Sequence, residues 1–489
     1  MKRIRILITA LLVSSATVLF AQQTAGDNVW TLRGCIDRAL ENNLTVKRSQ
    51  LNVQSNDINL QQSKLALLPT VNGSASTGYL WGRSIDPTTN LFVTERINSA
   101  GFGANSSVTL FNGMRLRNSI KQSQSNFEAS QYDLKKTEGD VVLSVVTFYT
   151  NVIFNKELLD NAKLQLGNTE QQLQQVEKQV EVGALPISNK LDLMAQKASN
   201  EANVINQQNA LNLSLLQLKQ ALQIPSSQPF DIEVPQIDLD NVTIPELTAD
   251  EIYDIALGRM PEVKSADLGV ESADLGIQIA KGNLYPRLSL NAAINTNFSS
   301  AADRARFIPD GGPDIVIQNP EVGFVEGTNQ RVFSNDPITI PSGSFSEGFG
   351  FRDQFDENLS RSIGVSLAIP VFNGLSARAG VQRAAITNEQ AKITAEETRN
   401  TLRQAIETAY SDVLAAAQSY SAALRQVAAQ EESFRMMQQR NVNNAVSPFD
   451  FQIAQNDLNR ARTDLVRAKY DYIFKQKVLD FYQGKPIEF

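Results

Sequence analysis

The chain contains no histidine, which removes the commonest general base and metal ligand at neutral pH. It has one cysteine, Cys35, so no internal disulfide or thiolate metal cluster can form, and a small buried hydrophobe is the role left for it. Lys and Arg number 45 against 52 Asp and Glu, and a net charge of −7 offers no surface for nucleic acid. After residue 21 there is no apolar run of the roughly 20 residues that a membrane-crossing helix requires. Any membrane-spanning part must therefore be a β-barrel. No Walker sequence, CxxC pair or Ser-His-Asp set can be assembled, and Gly101-x-Gly103 lacks the strand-then-helix setting of a nucleotide loop. The pairs Glu396-Glu397 and Glu431-Glu432 would splay about 100° apart on a helix, which suits solvated faces and not acid–base work. No catalytic group, cofactor site or metal site is expected, and the chain does not read as an enzyme.

Proline and glycine are scarce over one long stretch. Between Gly113 and Gly183 there is no proline, and the internal glycines are Gly139 and Gly167 alone. Two apolar seams run side by side there: Val142, Val146, Tyr149, Ile153 and Val141, Val145, Phe148, Val152. One seam at 3.5-residue spacing argues a helix against one partner; two adjacent seams argue partners on both flanks. Such a helix would be roughly 105 Å long. Gly374 to Ser447 behaves likewise, with Ile406, Tyr410, Val413, Ala417, Tyr420, Leu424 and Val427 in one seam.

The N-terminus has a basic start (Lys2, Arg3, Arg5), an apolar stretch from Ile6 to Leu19 and a cleavage point after Ala21, so 1–21 reads as a secretory signal peptide. The residue directly after that point is Gln22 and not cysteine, so no N-terminal lipid anchor is expected. The mature chain reads as two repeats. With a shift of 217, Ala39–Pro69 lies over Ala256–Pro286 with 12 of 31 positions identical. With a shift of 261, Phe111-Asn112-Gly113 lies over Phe372-Asn373-Gly374, Arg117 over Arg378 and Tyr149 over Tyr410. With a shift of 259, Ser188 lies over Ser447. The first repeat, 22–249, is expected to hold helices within 31–68, strands 70–81 and 102–111, helices 113–182 and 189–223, and a proline-rich connector, 225–249. The second, 250–489, is expected to hold helices within 250–285, strands 287–298 and 361–372, an external loop 299–360, and helices 374–445 and 448–482. Thr31 and Ser188 are expected N-caps.

In each repeat the helix before the strands and the helix after the turn together span about 90 Å, close to the single long helix. Two shorter helices can therefore stack end to end beside one unbroken rail. Four strands cannot close a pore, so closure needs several copies. The expected fold is a mainly-α membrane protein, with long antiparallel helical hairpins and a β-barrel shared between copies. The residues themselves leave the copy number open.

The doubled order, the exits at Pro69 and Pro286, the junctions LFNGMRLR and VFNGLSAR, and the segments VEVGALPISNKLDLMAQ and NVNNAVSPFDFQIAQ resemble the TolC-like outer-membrane efflux family over about residues 30 to 485. The resemblance implies a homotrimer with a 12-stranded barrel in the outer membrane and a helical tunnel, a periplasmic α-barrel, across the periplasm. It implies a passive duct for efflux or secretion, with a periplasmic adaptor (membrane fusion) protein and an inner-membrane transporter as partners, and lipid around the barrel. The connector would join a belt around the tunnel. The turns at 183–188 and 441–448 would be periplasmic tips. The resemblance places an aperture acid on Asp450, with Asn189 at the corresponding position of the first tip; the helix dipole alone would also favour Asp450 there. It puts the family's latch positions on Asn441 and Val446 and a second tip acid on Ile453, so neither the latch nor the full acidic ring is kept. Gly183, Ala184 and Leu185, with Ala445 and Ser447, are the candidate adaptor contacts; as plain turn chemistry, Gly183 is a C-cap. The alternative is a periplasmic coiled-coil adaptor or scaffold without a pore, against which the four alternating strands argue.

Overall fold

The computed structural model describes residues 29–85, 90, 92–94, 96–235, 245–302, 306–346, 348–442 and 446–485. The expected signal peptide 1–21, residues 236–244 of the connector and the tip residue Ala445 lie outside the described residues.

In the first repeat, β1 (Val29–Trp30) leads into α1 (Leu32–Asn42). The Thr31 hydroxyl caps α1 by accepting the Gly34 N–H at 3.1 Å. Asn43 is extended, and its Oδ1 accepts the Thr45 N–H at 2.7 Å, so one residue ends α1 and opens α2 (Leu44–Leu65). Then come β2 (Thr70–Leu80), β3 (Arg83–Ile85), β4 (Phe92–Thr94) and β5 (Ile97–Phe111). Next are the unbroken α3 (Arg115–Glu181), α4 (Ile187–Ala221) and β6 (Asp231–Ile232). The second repeat opens with α5 (Ala249–Arg259) and α6 (Pro261–Gly282). Met260 is extended between them, as the residue before a proline prefers. After β7 (Arg287–Ser299), the segments β8 (Arg306–Pro309), β9 (Ile315–Ile317), β10 (Glu321–Phe324), β11 (Arg331–Phe333), β12 (Ile338–Ile340) and β13 (Gly343–Ser346) precede α7 (Phe351–Glu357) and β14 (Ser360–Ala368). The long α8 (Ser376–Val442) and α9 (Pro448–Gln483) close the chain.

Five expectations need correction. The strand expected from 102 begins at Ile97, and the one expected to reach 372 ends at Ala368. Pro370 follows closely there and has no N–H to give a ladder. The loop 299–360 is not irregular: β8–β13, β9–β12 and β10–β11 are nested antiparallel ladders followed by α7. Its β-branched runs, Ile315-Val316-Ile317 and Ile338-Thr339-Ile340, are the strand signal that its Gly and Pro content obscured. The connector contributes β6, which pairs in parallel with β1. Finally, α4 starts at Ile187 with Pro186 as its cap residue, so Ser188 lies inside the helix and does not cap it.

The chain forms two compact units, each assembled from both repeats: residues 1–60, 122–273 and 386–489, and residues 61–121 and 274–385. The first unit is helical. Val145, Val146, Tyr149, Val152 and Ile153 of α3 are almost fully buried, against α1 (Leu32, Cys35, Ala39), α4 (Leu211, Leu218) and α9 (Val466, Tyr470, Ile473). Both expected seams are thus covered. The Tyr149 hydroxyl donates to the carbonyls of Glu233, at 2.6 Å, and Trp30, at 3.2 Å, tying α3 to the β1–β6 pair. A second core joins α8 (Leu402, Ile406, Ala409, Val413, Ala416) to α5 (Ile252, Tyr253, Ala256) and α9 (Tyr472, Leu479). Tyr420 and Tyr472 stack there with centroids 6.1 Å apart.

Cys35 lies in the first core, fully buried, and burial pushes its thiol up from 9.0 to about 12. Two results are expected. A thiol reagent leaves the folded protein unmodified and labels it after denaturation. The Cys35 contribution to stability is fully present below about pH 9 and is lost as pH rises from 9 toward 12, so the denaturation midpoint falls over that window and falls less in Cys35→Ala, because only the unfolded thiol ionises readily there. Prompt labelling of the folded protein contradicts the buried placement.

The second unit holds a four-stranded antiparallel sheet in the order β14–β7–β5–β2. Register fixes its faces. The pairs Ser74↔Gly103 and Gly103↔Asn295 place one polar face, with Asn72, Ser76, Asn105, Ser107, Asn291 and Asn297. Val71, Val108, Phe111, Leu288, Leu290, Ile294, Ile363, Val365 and Leu367 fall on the other face, Phe111 reaching it through a bulge at Leu110. Ile363, at 81% exposure, stands on a part of that face that no described residue covers. At the far end of that face α7 packs through Phe351 and Phe355 on Phe102 and Phe298. The Gln354 side chain bonds both Ser299 N and Ser299 O.

Candidate functional site

The first tip joins α3 to α4. Residues 179–184 close α3 with paired bonds: Ala184 N to Gln179 O at 2.8 Å and Gly183 N to Val180 O at 3.0 Å. Gly183 has φ +77, the left-handed value this motif needs. The turn is held at a fixed angle with Gly183 and Ala184 exposed and Leu185 half-buried. Val182 and Ile187 on either side are 79% and 66% exposed, an apolar pair that the sequence reading did not single out. The half-buried Asn189 donates its backbone N–H to Pro186 O at 3.2 Å.

The second tip joins α8 to α9. Ser447 caps α9: its hydroxyl accepts the Asp450 N–H at 3.1 Å and lies 2.7 Å from Asp450 Oδ2. The Asp450 carboxylate thus works at a helix N-terminus, where its charge is favoured. It is also exposed, so one oxygen is engaged and the group still faces solvent. Ile453 is exposed and Val446 half-buried.

The structure brings the two tips to one end of the helical unit. Gln452 of α9 donates to Gln196 of α4 at 2.9 Å, and Gln172 of α3 donates to Gln455 of α9 at 2.9 Å. Asn200 of α4 donates to Thr169 of α3 at 2.8 Å. Lys190 pairs with Glu177 at 3.1 Å across the first turn. Phe434 and Phe451 meet at 5.3 Å across the second. These carboxamide bridges escaped the sequence reading, since Gln and Asn between apolar seams look like ordinary solvated positions. Glu431 and Glu432 are not merely solvated either: they pair with Arg462 and Arg435, at 2.7 and 2.6 Å. The Arg435 bond holds Glu432 below the usual carboxylate range.

The strand-to-helix junctions share an unusual backbone. Gly113 and Met114 both have φ +65, and Gly374 and Leu375 have φ +60 and +63. Two consecutive left-handed residues turn each strand into its long helix, and the second is a side-chain-bearing residue in both repeats. Gly113 also packs backbone to backbone on Gly282. Tyr79 and Trp81 stand exposed with centroids 6.0 Å apart, as aromatics at a membrane boundary do. No group of acids and cysteine fit to hold a metal occurs among the described residues.

The family model for outer membrane efflux proteins matches residues 35–222 and 252–484. The outer membrane efflux protein BepC of Brucella suis is 23% identical over 472 residues, covering 96% of this chain and 87% of BepC. Among solved structures, CusC superposes with a TM-score of 0.72 at 19% identity, over 93% of this chain and 92% of CusC. The outer membrane protein VceC of Vibrio cholerae superposes at 0.70 and 16% identity, over 94% and 97%. At these identities the solved structures speak to the fold.

Proposed function

The chain belongs to the outer membrane efflux protein family, and from that premise we propose that it works as a homotrimer that passively ducts substrates handed over by a periplasmic adaptor and an inner-membrane pump. It is an outer-membrane efflux channel component that extends into the periplasm. The four-stranded sheet is the observation that best supports the finer reading. It has one polar and one apolar face, and its edge strands β14 and β2 have no further partner among the described residues. Three such sheets joined edge to edge make a 12-stranded barrel with a polar lumen. The repeats 22–249 and 250–489 would alternate around the ring. The long helices, 67 residues each, would span roughly 100 Å of periplasm.

In this reading the tips meet at the periplasmic end. Asp450 from three copies would narrow and charge the aperture, with Asn189 beside it. Gly183, Ala184 and Leu185, together with Ala445 and Ser447, would meet the adaptor. The fixed angle at Gly183 supports a rigid docking loop. The test is conductance of the purified protein in planar bilayers. Wild type is expected to conduct with a preference for cations, and Asp450→Asn to lose part of that preference without losing conductance. An unchanged preference rejects the aperture role of Asp450; absence of conductance rejects the duct.

A further inference from the structure

Where β5, β7 and β14 end at the helices, the second unit holds a cavity of about 270 Å³. Asn112, Arg115, Asn283, Tyr285 and Arg287 line it, with Ile369 on its apolar side. Every one of those polar side chains can donate a hydrogen bond, and none is a carboxylate. Neither arginine side chain has a hydrogen-bond or ion-pair partner among the described residues, and Arg115 Nε is buried without one. Arg115 is half-buried and Arg287 exposed, so it is the buried Arg115 Nε–H, left without an acceptor beside a second cation, that favours an anion here. Asn112 Oδ1 accepts the Leu116 N–H at 3.4 Å, which leaves its amide hydrogens for a ligand. The 67-residue α3 starts at Arg115, so its dipole adds positive potential at the same place.

The arginine is there by arrangement of the backbone. A Cβ at Gly282 would overlap Arg115 Cγ, so only glycine at 282 lets that side chain lie across the end of α6. Strand-to-helix geometry does not itself require these cations. At the equivalent positions of the other repeat, Ser376 stands for Arg115, Thr70 for Arg287, Leu68 for Tyr285 and Ala66 for Asn283.

We propose that this cavity binds a phosphate-bearing anion. Two guanidiniums with amide and phenol donors match the several oxygens of a phosphate group, and a single carboxylate would leave donors unused. Two sources share that chemistry. One is the headgroup of a phospholipid whose chains lie along Ile369, Leu367 and Val371, all exposed. The other is free phosphate or a soluble phosphate ester reaching the cavity from water. The lipid source rests on the membrane placement of the sheet; the anion site does not.

The assembled full-length protein in non-ionic detergent would be titrated with phosphatidylglycerol, with diacylglycerol, which lacks the phosphate, and with inorganic phosphate. Retention would be read by native mass spectrometry and affinity by calorimetry. Phosphatidylglycerol is expected to bind, and to bind about tenfold or more weakly in Arg115→Gln/Arg287→Gln. Arg115→Lys/Arg287→Lys should recover most of that loss, and diacylglycerol should not bind. Arginine-dependent binding of inorganic phosphate without a preference for the lipid assigns the soluble source. Equal binding of both phosphate probes in wild type and the Gln variant, or no binding to wild type, overturns the proposal. If the double variant fails to assemble, Arg287→Gln alone carries the comparison, because Arg287 is exposed at the start of β7. Bilayer conductance of the variant should stay at the wild-type level, which separates failure of this site from failure of the duct.

Discussion

Gly282→Leu is expected to abolish assembled protein in the outer membrane, whereas Gly374→Ala is expected to leave it nearly intact. Gly282 ends α6 ahead of β7 and Gly374 lies between β14 and α8, and the space around the two differs. A Cβ at Gly282 would overlap Arg115 Cγ and come within 2.9 Å of Gly113 O. From the other side, a Cβ on Gly113 would meet Gly282 O at 2.7 Å and Tyr285 Cβ at 2.9 Å. The arginine could swing away; the facing backbone carbonyls cannot. A leucine at 282 must push α6 off the start of α3, at a cost of about 4 kcal/mol or more, in the range that unfolds marginal proteins. Gly374 has φ +60 with no atom of the chain within 4 Å of the added carbon. Alanine there bears only the left-handed backbone penalty, about 1–2 kcal/mol. The neighbouring Leu375 already tolerates φ +63. The check is the amount of heat-resistant oligomer in outer-membrane fractions, with denaturation midpoints alongside. Equal losses in the two variants would show that close approach at Gly282 is not what matters.

The helices were legible because their information is local and repeated. A proline-free seam at 3.5-residue spacing can hardly be anything but a long helix, and Val145, Val146, Tyr149, Val152 and Ile153 are buried as those seams require. The repeat made the strands legible too: 70–80 and 287–299 follow prolines at matched positions. What could not be read depends on partners distant in sequence. The β1–β6 pair is two residues on each side, too short to leave a pattern. The hairpin within 306–346 was hidden because turn residues interrupt it at each ladder. At the tips, Ser188 was the expected cap but Ser447 is the serine that caps, and neither that nor the carboxamide bridges Gln196–Gln452 and Gln172–Gln455 was read from the sequence. Gln carries no periodicity of its own. The cationic cavity was likewise invisible, because Arg115 and Arg287 are far apart in sequence and only the β5–β7 pairing brings them together.

Leu51→Lys/Ile58→Lys is expected to convert the assembly into free protomers that keep their helical content. The reason lies in comparing repeats position by position. On α6, Ser265, Leu268, Ser272 and Leu275 form one seam. That seam faces α3: Ser265 bonds Asp133 at 2.5 Å, Ser272 bonds Asn126 at 2.6 Å, and Gln122 bonds Ser272 O at 2.9 Å. The opposite side of α6 faces α8, where Asn388 bonds Val270 O and Arg399 pairs with Asp267. So α6 lies between the long helix of the previous repeat and that of its own. The 217-residue shift carries Leu268 and Leu275 onto Leu51 and Ile58 of α2. Those two are 64% and 63% exposed, while Val46 and Leu60 on the other side of α2 are buried. Among the described residues nothing covers Leu51 and Ile58, whereas their counterparts on α6 lie in the seam that faces α3. In the proposed homotrimer the helix that would cover them is the long helix of a previous repeat, which for the first repeat is α8 of another copy. The matching stretch of α8 carries Ile386 and Ile393, 59% and 57% exposed. Covering Leu51 and Ile58 contributes about 1.5–3 kcal/mol each at every interface of a closed ring, and a buried unpaired lysine reverses the sign. Because both positions face solvent in the protomer, the variant should fold. Light scattering that still reports a trimer would place the inter-copy contact elsewhere on α2.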